Sequence, residues 1–419
     1  MAVFKPFKGL LPRVKDAEQI VSRPFDAYSK QELSFELSAH PDSFLHVISP
    51  LSPDVHIEIN YHDKLELGKS KLFEMIKSKV FEISAHPCYY IYRQTQHHEQ
   101  YIGIIGAISI DDCLTNIVKP HEQTIEHKEV RLKNYLDYMD INAEPVVISY
   151  KADHLINELV EKKISDKPHL DFYFKGFGQH ELWKVEKKED IQIIESQFGG
   201  LNEMYIADGH HRTASSVLLG KERREKYPDY SGEEPFNYFM AIAFPHHQIR
   251  LREFNRLVHD INGLSIDEFI HRIKKDFFVE KLNSFPDISG HIACFAMYLE
   301  HHWYILQMKP EVFLKVDEQN ALPTQILSDF ILSPILEIHD LRKDKRISFA
   351  GGKTEPDHLK KIVDSDEYKV AFVVNKINIP QFKKFADNGW FMPPKSTYFE
   401  PKLLNGLVLY SLDDNITNL

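Results

Sequence analysis

The alternation of apolar and polar positions sorts the chain into strand-like and helix-like stretches. Residues 89–96 and 101–110 are rich in Tyr, Ile and β-branched side chains, and the polar residues 97–100 between them predict a hairpin. A turn is expected at Asp111 and Asp112. Over 125–138 the pattern becomes helical, with Ile125, Val130, Leu132, Tyr135 and Leu136, then Met139, recurring near helical spacing among charges. Pro145 stops any continuation of that helix. Strands are predicted at Val146, Val147 and Ile148, and at 182–185, 191–194 and 204–207. Asp208 and Gly209 then open a helix expected to run to about Leu219, with Gly220 as its stop. The charged run 221–235 reads as an exposed connection. Beyond it, strands are expected at 239–244 and 368–374 and an amphipathic helix at 266–278. The Pro-punctuated run MPPKSTYFEPK, residues 392–402, reads as a closing loop. The fold class expected is α/β (α+β) with mixed sheets.

Length adds two or three domains to this picture, since 419 residues exceed what one core usually serves. The expected division is an N-terminal α/β segment at 1–110, a motif-bearing module at 111–235 and a C-terminal α/β domain at 236–419. Lys and Arg total 51 against 62 Asp and Glu, a net charge of −11. That balance argues against a chain whose main task is gripping nucleic-acid backbones. The longest strongly apolar run, 101–110, is shorter than the ~20 residues a membrane helix needs, and the opening MAVFKPFKGLLPRVKD is broken by Lys and Pro. Cys88, Cys113 and Cys294 form no CxxC pair. A soluble protein of the reducing cytoplasm is therefore expected.

Several familiar patterns fail. The adjacent pairs His97-His98, His246-His247 and His301-His302 point apart on a strand or helix and are not chelating pairs by themselves. HEQTIEH, from His121, has Ile125 where a zinc-protease helix needs its second His. GGKT at 351–354 ends like a phosphate-binding loop, but Ile347 stands where the first Gly belongs, so a turn between strand and helix is expected.

Two segments carry candidate chemistry. In MYIADGHHRTA, 204–214, a short apolar strand runs into Asp208-Gly209 and a helix start. Free backbone N–H groups and the positive helix end would face an anion there, Gly209 permits close approach, and Arg212 offers a fork matched to phosphate oxygens. His210 and His211 add donors, and Asp208 suits a metal ion or a hydroxyl; an ordinary capped turn is the plainer alternative. In KPHEQT, 119–124, Pro120 stiffens the approach and holds His121 and Glu122 in a defined loop. Glu122 suits either accepting a proton from a substrate hydroxyl or capping the following helix. A third candidate is the 395–402 run, where Lys395, Thr397 and Lys402 on a Pro-restrained loop would close over a phosphate or substrate carboxylate, or form an ordinary surface loop. Arg93, in IYRQT, would reach the same cleft or form a structural ion pair.

The KPHE and DGHHR segments, with Pro145-Val146-Val147 between them, resemble the ParB/sulfiredoxin-type nucleotide-binding fold, and most closely its free-serine-kinase branch. The chain as a whole resembles the family called domain of unknown function ten-fifteen, through HPDSF at 40–44, IYRQT at 91–95, KPHEQT, IADGHHRTA, and MPPKSTYFEPKLLNGL at 392–407. The resemblance implies a ParB/sulfiredoxin-like module flanked by additional N- and C-terminal α/β segments. It implies that Glu122 is the general base for a serine hydroxyl, with His121 and Asp208 beside it. Lys119, Gly209, His210, His211 and Arg212 would hold the phosphates of ATP or ADP, with Mg²⁺ on Asp208. The function expected is phosphoryl transfer to a small hydroxyl substrate, free L-serine first. Two alternatives stand beside it: a nucleotide-binding regulator, and a metal hydrolase with ligands from His121, Asp208, His210 or His211. A nucleotide and a small substrate are the expected partners, no membrane or nucleic-acid partner is expected, and self-association is left open.

Overall fold

The computed structural model describes residues 1–50, 60–352 and 354–413. Two compact units emerge, Met1–Ile249 with Pro401–Leu419, and Arg250–Glu400. The segments expected to meet at residue 110 share one sheet, and the chain's tail returns to the first unit.

The first unit is built on nine strands. In chain order they are β1 (Phe4–Lys5), β2 (Tyr89–Gln96), β3 (Glu99–Ser109), β4 (Val118–Lys119), β5 (Val146–Tyr150), β6 (Leu170–Phe174), β7 (Gly178–Val185), β8 (Met204–Asp208) and β9 (Tyr238–Pro245). Their order across the sheet is β4-β8-β5-β9-β3-β2-β7-β6, with β1 on β3. The β2–β3 hairpin is as expected, and His97 and His98 occupy its turn at positive φ, 48° and 68°. All eight residues of β9 are buried, as its central place in the sheet requires. Most pairings are antiparallel, but β4 runs parallel to β8 and β5 parallel to β9. Two helices matter to the site, α1 (Glu126–Met139) and α3 (His210–Lys226), and a third, α2 (Lys188–Gly199), packs into the core.

Several elements differ from the sequence reading. Asp111 and Asp112 lie in a short helix, Ile110–Leu114, whose first turn is capped by the Ser109 hydroxyl. Residues 191–194 are helix, not strand: they belong to α2, where Ile194 and Phe198, four residues apart, enter the core beside Ile191. A four-residue apolar run carries no period of its own. α1 ends well before Pro145, at Asp140 in the left-handed region with φ 55°. Gly220 is inside α3 rather than at its end, and the charged residues up to Lys226 continue the helix. Gly220 is there because a Cβ would stand 2.8 Å from the carbonyl oxygen of Phe236.

The second unit has an antiparallel six-stranded sheet of β10 (Phe254–Val258), β11 (Phe277–Leu282), β12 (Cys294–Leu299), β13 (His302–Met308), β14 (Ile347–Gly351) and β15 (Val370–Val373), in the order β11-β13-β12-β15-β10-β14. Apolar clusters cover both faces. The helix expected at 266–278 stops at Ile273, and Phe277 already begins β11. The GGKT run does turn from β14 toward the helix Pro356–Asp364; its Lys353 lies outside the described residues. The architecture is mixed α/β, as the sequence implies. Among the described residues, no helix is long and apolar enough to cross a membrane.

Gly220→Ala gains helix propensity, yet it forces a methyl group against backbone that cannot retreat. The expected net effect is a loss of about 1–3 kcal/mol, read from urea unfolding. An unchanged or higher stability would show that α3 and the 235–237 turn are less closely packed than described.

Candidate functional site

The two motif segments meet because β4 and β8 are parallel neighbours, with Met204 opposite Val118 and Tyr205 opposite Lys119. Both chains leave the sheet at the same edge, so Pro120-His121-Glu122 and Gly209-His210-His211 follow side by side although 89 positions separate them in sequence. Each loop then enters a helix, α1 and α3, and those helices are laced together. The Ser215 hydroxyl donates to the Glu129 carbonyl at 3.0 Å, Lys133 pairs with Glu222 at 2.8 Å, and Arg223 bridges Asp137 and Asp140.

Histidines pin the loops to each other. The His121 peptide N–H donates to His210 Nε2 at 3.3 Å, and the Ile125 N–H donates to His211 Nε2 at 3.1 Å. His121 is fully buried, and its Nδ1–H donates to the Ile206 carbonyl at 2.9 Å, while its ring meets that of His210 edge to face at 4.4 Å. These bonds fix the tautomers: an Nε2 that accepts leaves the proton on Nδ1. The Nδ1–H of His210 therefore faces Glu122, whose Oε2 lies 3.9 Å away. Burial pushes the His210 imidazole down to about 4; Asp208 opposes this, and His211 and Arg212 add to it. Burial, with His210 adding to it, likewise holds His121 well below the ordinary imidazole range. Both rings are neutral at pH 7.

Gly209, at φ 99°, starts α3 from the left-handed region, and a Cβ there would press on the Arg212 guanidinium at 3.1 Å. Arg212 donates to the Pro145 carbonyl, pairs with Glu144 at 3.0 Å and approaches Asp208 at 3.8 Å. Lys402 donates to Asp208 at 2.8 Å. The result is an alternating chain, Glu144–Arg212–Asp208–Lys402, at the positive end of α3. Burial works to raise the Asp208 carboxyl, but Lys402 and Arg212 outweigh it and hold the group well below the usual carboxylate range. Lys119 is drawn to Glu203 at 3.1 Å and lies over the Tyr205 ring. Beside Arg212, Pro145 lines an apolar recess with Ile105, Ile242, Leu403 and Leu404.

The structure thus gathers Lys119, His121, Glu122, Asp208, Gly209, His210, His211, Arg212 and Lys402. Arg93 is not among them. It makes a bidentate pair with Glu181, directly across from it on β7, at 2.6 Å for both bonds, and stacks on Trp183. Four strand steps separate β2 from β8, roughly 19 Å at ~4.8 Å per step. Lys395 and Thr397 belong to the second unit. Glu144 and Glu203 were not foreseen, since nothing in their sequence neighbourhood marks them as counter-charges to Arg212 and Lys119. Among the described residues no group of three or more His, Cys, Asp and Glu side chains is arranged to hold a metal ion. One ring nitrogen each of His121, His210 and His211 is hydrogen-bonded to backbone.

Because His210 is held neutral, the unfolded chain takes up a proton below pH 6.5 that the native state refuses until about pH 4. Stability is therefore expected to fall as pH falls through that window, by roughly 3 kcal/mol from this group. His210→Asn, which keeps an acceptor for the His121 N–H, is expected to flatten the decline in urea unfolding between pH 4 and 6.5. An unchanged slope would mean that His210 titrates normally in the native state.

Comparison with known proteins gives a family and some distant structural likenesses. The chain is similar to a free serine kinase in complex with AMP, at 14% identity and a TM-score of 0.36, covering 74% of this chain and 91% of that one. It is similar to a conserved hypothetical protein from Pyrococcus furiosus, at 14% identity and a TM-score of 0.35 over 77% and 99% of the two chains. A third likeness is to SbnI with a C-terminal truncation from Staphylococcus aureus, at 10% identity and a TM-score of 0.36 over 72% and 85%. No curated protein matches. The family described as Protein of unknown function (DUF1015) matches residues 4–328, well over half of the sequence, and the chain belongs to that family.

Proposed function

We propose that the paired loops form the site of a nucleotide-dependent phosphotransferase acting on a small hydroxyl substrate, with free L-serine as the acceptor and O-phosphoserine as the product. The observation that carries this reading is the convergence of one carboxylate, Glu122, with the Asp208–Arg212 turn on adjacent parallel strand ends. Serine as acceptor rests on the match of KPHE and DGHHR to the free-serine-kinase motifs.

In this reading each group has a physical task. Glu122 accepts the proton of the acceptor hydroxyl, whose oxygen forms the new bond to the terminal phosphorus of ATP or ADP as the bridging P–O bond breaks. His210 Nδ1–H faces the carboxylate from its buried side, 3.9 Å away. Arg212, Lys402 and the N–H groups that open α3 neutralise charge on the phosphates, which is most of what phosphoryl transfer asks of a protein. Asp208, ionised and 38% exposed, is a hard oxygen ligand of the kind that suits Mg²⁺ shared with phosphates. Bound there, the ion would supply further charge neutralisation.

The purified protein is expected to make phosphoserine from L-serine with either ATP or ADP. Glu122→Gln should lower that rate by ~10²- to 10⁴-fold, with nucleotide affinity by calorimetry changed less than about threefold, whereas Arg212→Met should weaken nucleotide binding itself. No phosphoserine from either nucleotide, or a Glu122→Gln rate equal to that of the parent, would defeat the assignment.

A further inference from the structure

The second unit contains a buried cation that the proposed reaction does not use. Arg256 is on β10 with Phe349 and Phe372 opposite it on the flanking strands, and it is 0% exposed. Its Nη1 donates to the Phe254 carbonyl and its Nη2 to the Lys395 carbonyl at 3.1 Å, and the guanidinium lies 5.4 Å from the Phe349 ring centroid. Its Nε–H is buried without an acceptor. Among the described residues no carboxylate pairs with it, and burial pushes the guanidinium down to about 9, which leaves it charged at neutral pH. An arginine sealed in this way, with a donor unused and no counter-charge, is a standing cost to the fold.

Its surroundings suit an anion. The loop that supplies the Lys395 carbonyl is the MPPKSTYFEPK run. Lys395 is at φ 59°, outside the conformations that non-glycine residues prefer, and its ammonium lies 5.1 Å from the Phe254 ring centroid. Behind Lys395, the Ser396 hydroxyl donates to the Pro393 carbonyl at 2.7 Å and meets the Thr324 hydroxyl at 2.8 Å, which fixes the loop. The Nε–H is the donor left over, and a charge-assisted bond from it to an oxyanion is of the strong kind.

We infer that Arg256, with Lys395 beside it, anchors an oxyanion site in the Arg250–Glu400 unit, for a carboxylate or phosphate group carried by a small ligand. The anion supplies the counter-charge and accepts from the unused Nε–H. This inference is independent of the function proposed for the motif loops.

The test is thermal unfolding of the full chain, in an Arg212→Met background that weakens the motif site, with the effect of Arg256 read as the difference between otherwise identical proteins. Inorganic phosphate, acetate and chloride are compared at matched ionic strength. Phosphate or acetate is expected to raise the midpoint of the Arg256 protein beyond chloride, and the more effective of the two names the source of the oxyanion. Arg256→Met is expected to be at least as stable in chloride and to respond at least about tenfold more weakly. An equal response with and without Arg256, or no response to either anion in its presence, overturns the site. Should Arg256→Met fail to fold, Lys395→Met decides: the site requires a response weakened severalfold with the chloride midpoint unmoved, and an undiminished response overturns it.

Discussion

The parallel pairing of two very short strand ends is the constraint on which the first unit's chemistry depends. Val118 and Lys119 contribute only two residues to the sheet, yet their register against Met204 and Tyr205 makes both motif loops emerge at one edge. In a largely antiparallel sheet, neighbouring chains usually exit at opposite edges. Here the same-edge exit lets each loop open a helix, and α1 and α3 can pack along each other only because they start together. The contacts from Ser215 and Lys133 to Arg223 then hold the loop spacing from a distance, so the site is positioned by helices rather than by the loops themselves.

Charge is distributed in the site with a clear division of labour. The buried groups are neutral histidines partnered by backbone, His210 accepting from a peptide N–H and His121 donating to a carbonyl, which avoids the desolvation cost of an imidazolium. The ionised groups, Glu144, Arg212, Asp208 and Lys402, lie at the more accessible side and alternate in sign. Without a ligand the carboxylates satisfy the cations, and a polyanion arriving at the start of α3 competes for cations already oriented. Such pre-positioned groups lose little freedom on binding, which is the main source of benefit in a phosphate site.

Much of this was legible in the sequence, and the limits have physical causes. The 89–109 hairpin, α1, β8 and the start of α3 announce themselves by period and by turn residues, and the two motifs marked the residues that converge. The misread elements are short or masked by packing. Residues 191–194 lacked the length to show a helical period, and Gly220 looked like a stop because its reason, the Phe236 carbonyl, is tertiary. Arg93 looked like a cleft residue because its partner Glu181 is on a strand 88 positions away. The fastening roles of His210 and His211 were also hidden: the motif suggested donors to phosphate, and only the structure shows their bonds to residues 121 and 125, which tie the loops together.

The central claim is that a neutral His210, protonated on Nδ1 and bonded at Nε2 to the His121 peptide, couples the two loops at the proposed nucleotide site. Long-range ¹H–¹⁵N NMR of histidine-labelled protein tests it most directly. The account predicts an Nδ1–H tautomer for His210 that remains neutral to about pH 5, above its depressed value near 4, with its signals moving when ADP is added. An Nε2–H tautomer, a titration near 6.5, or signals indifferent to ADP would contradict it.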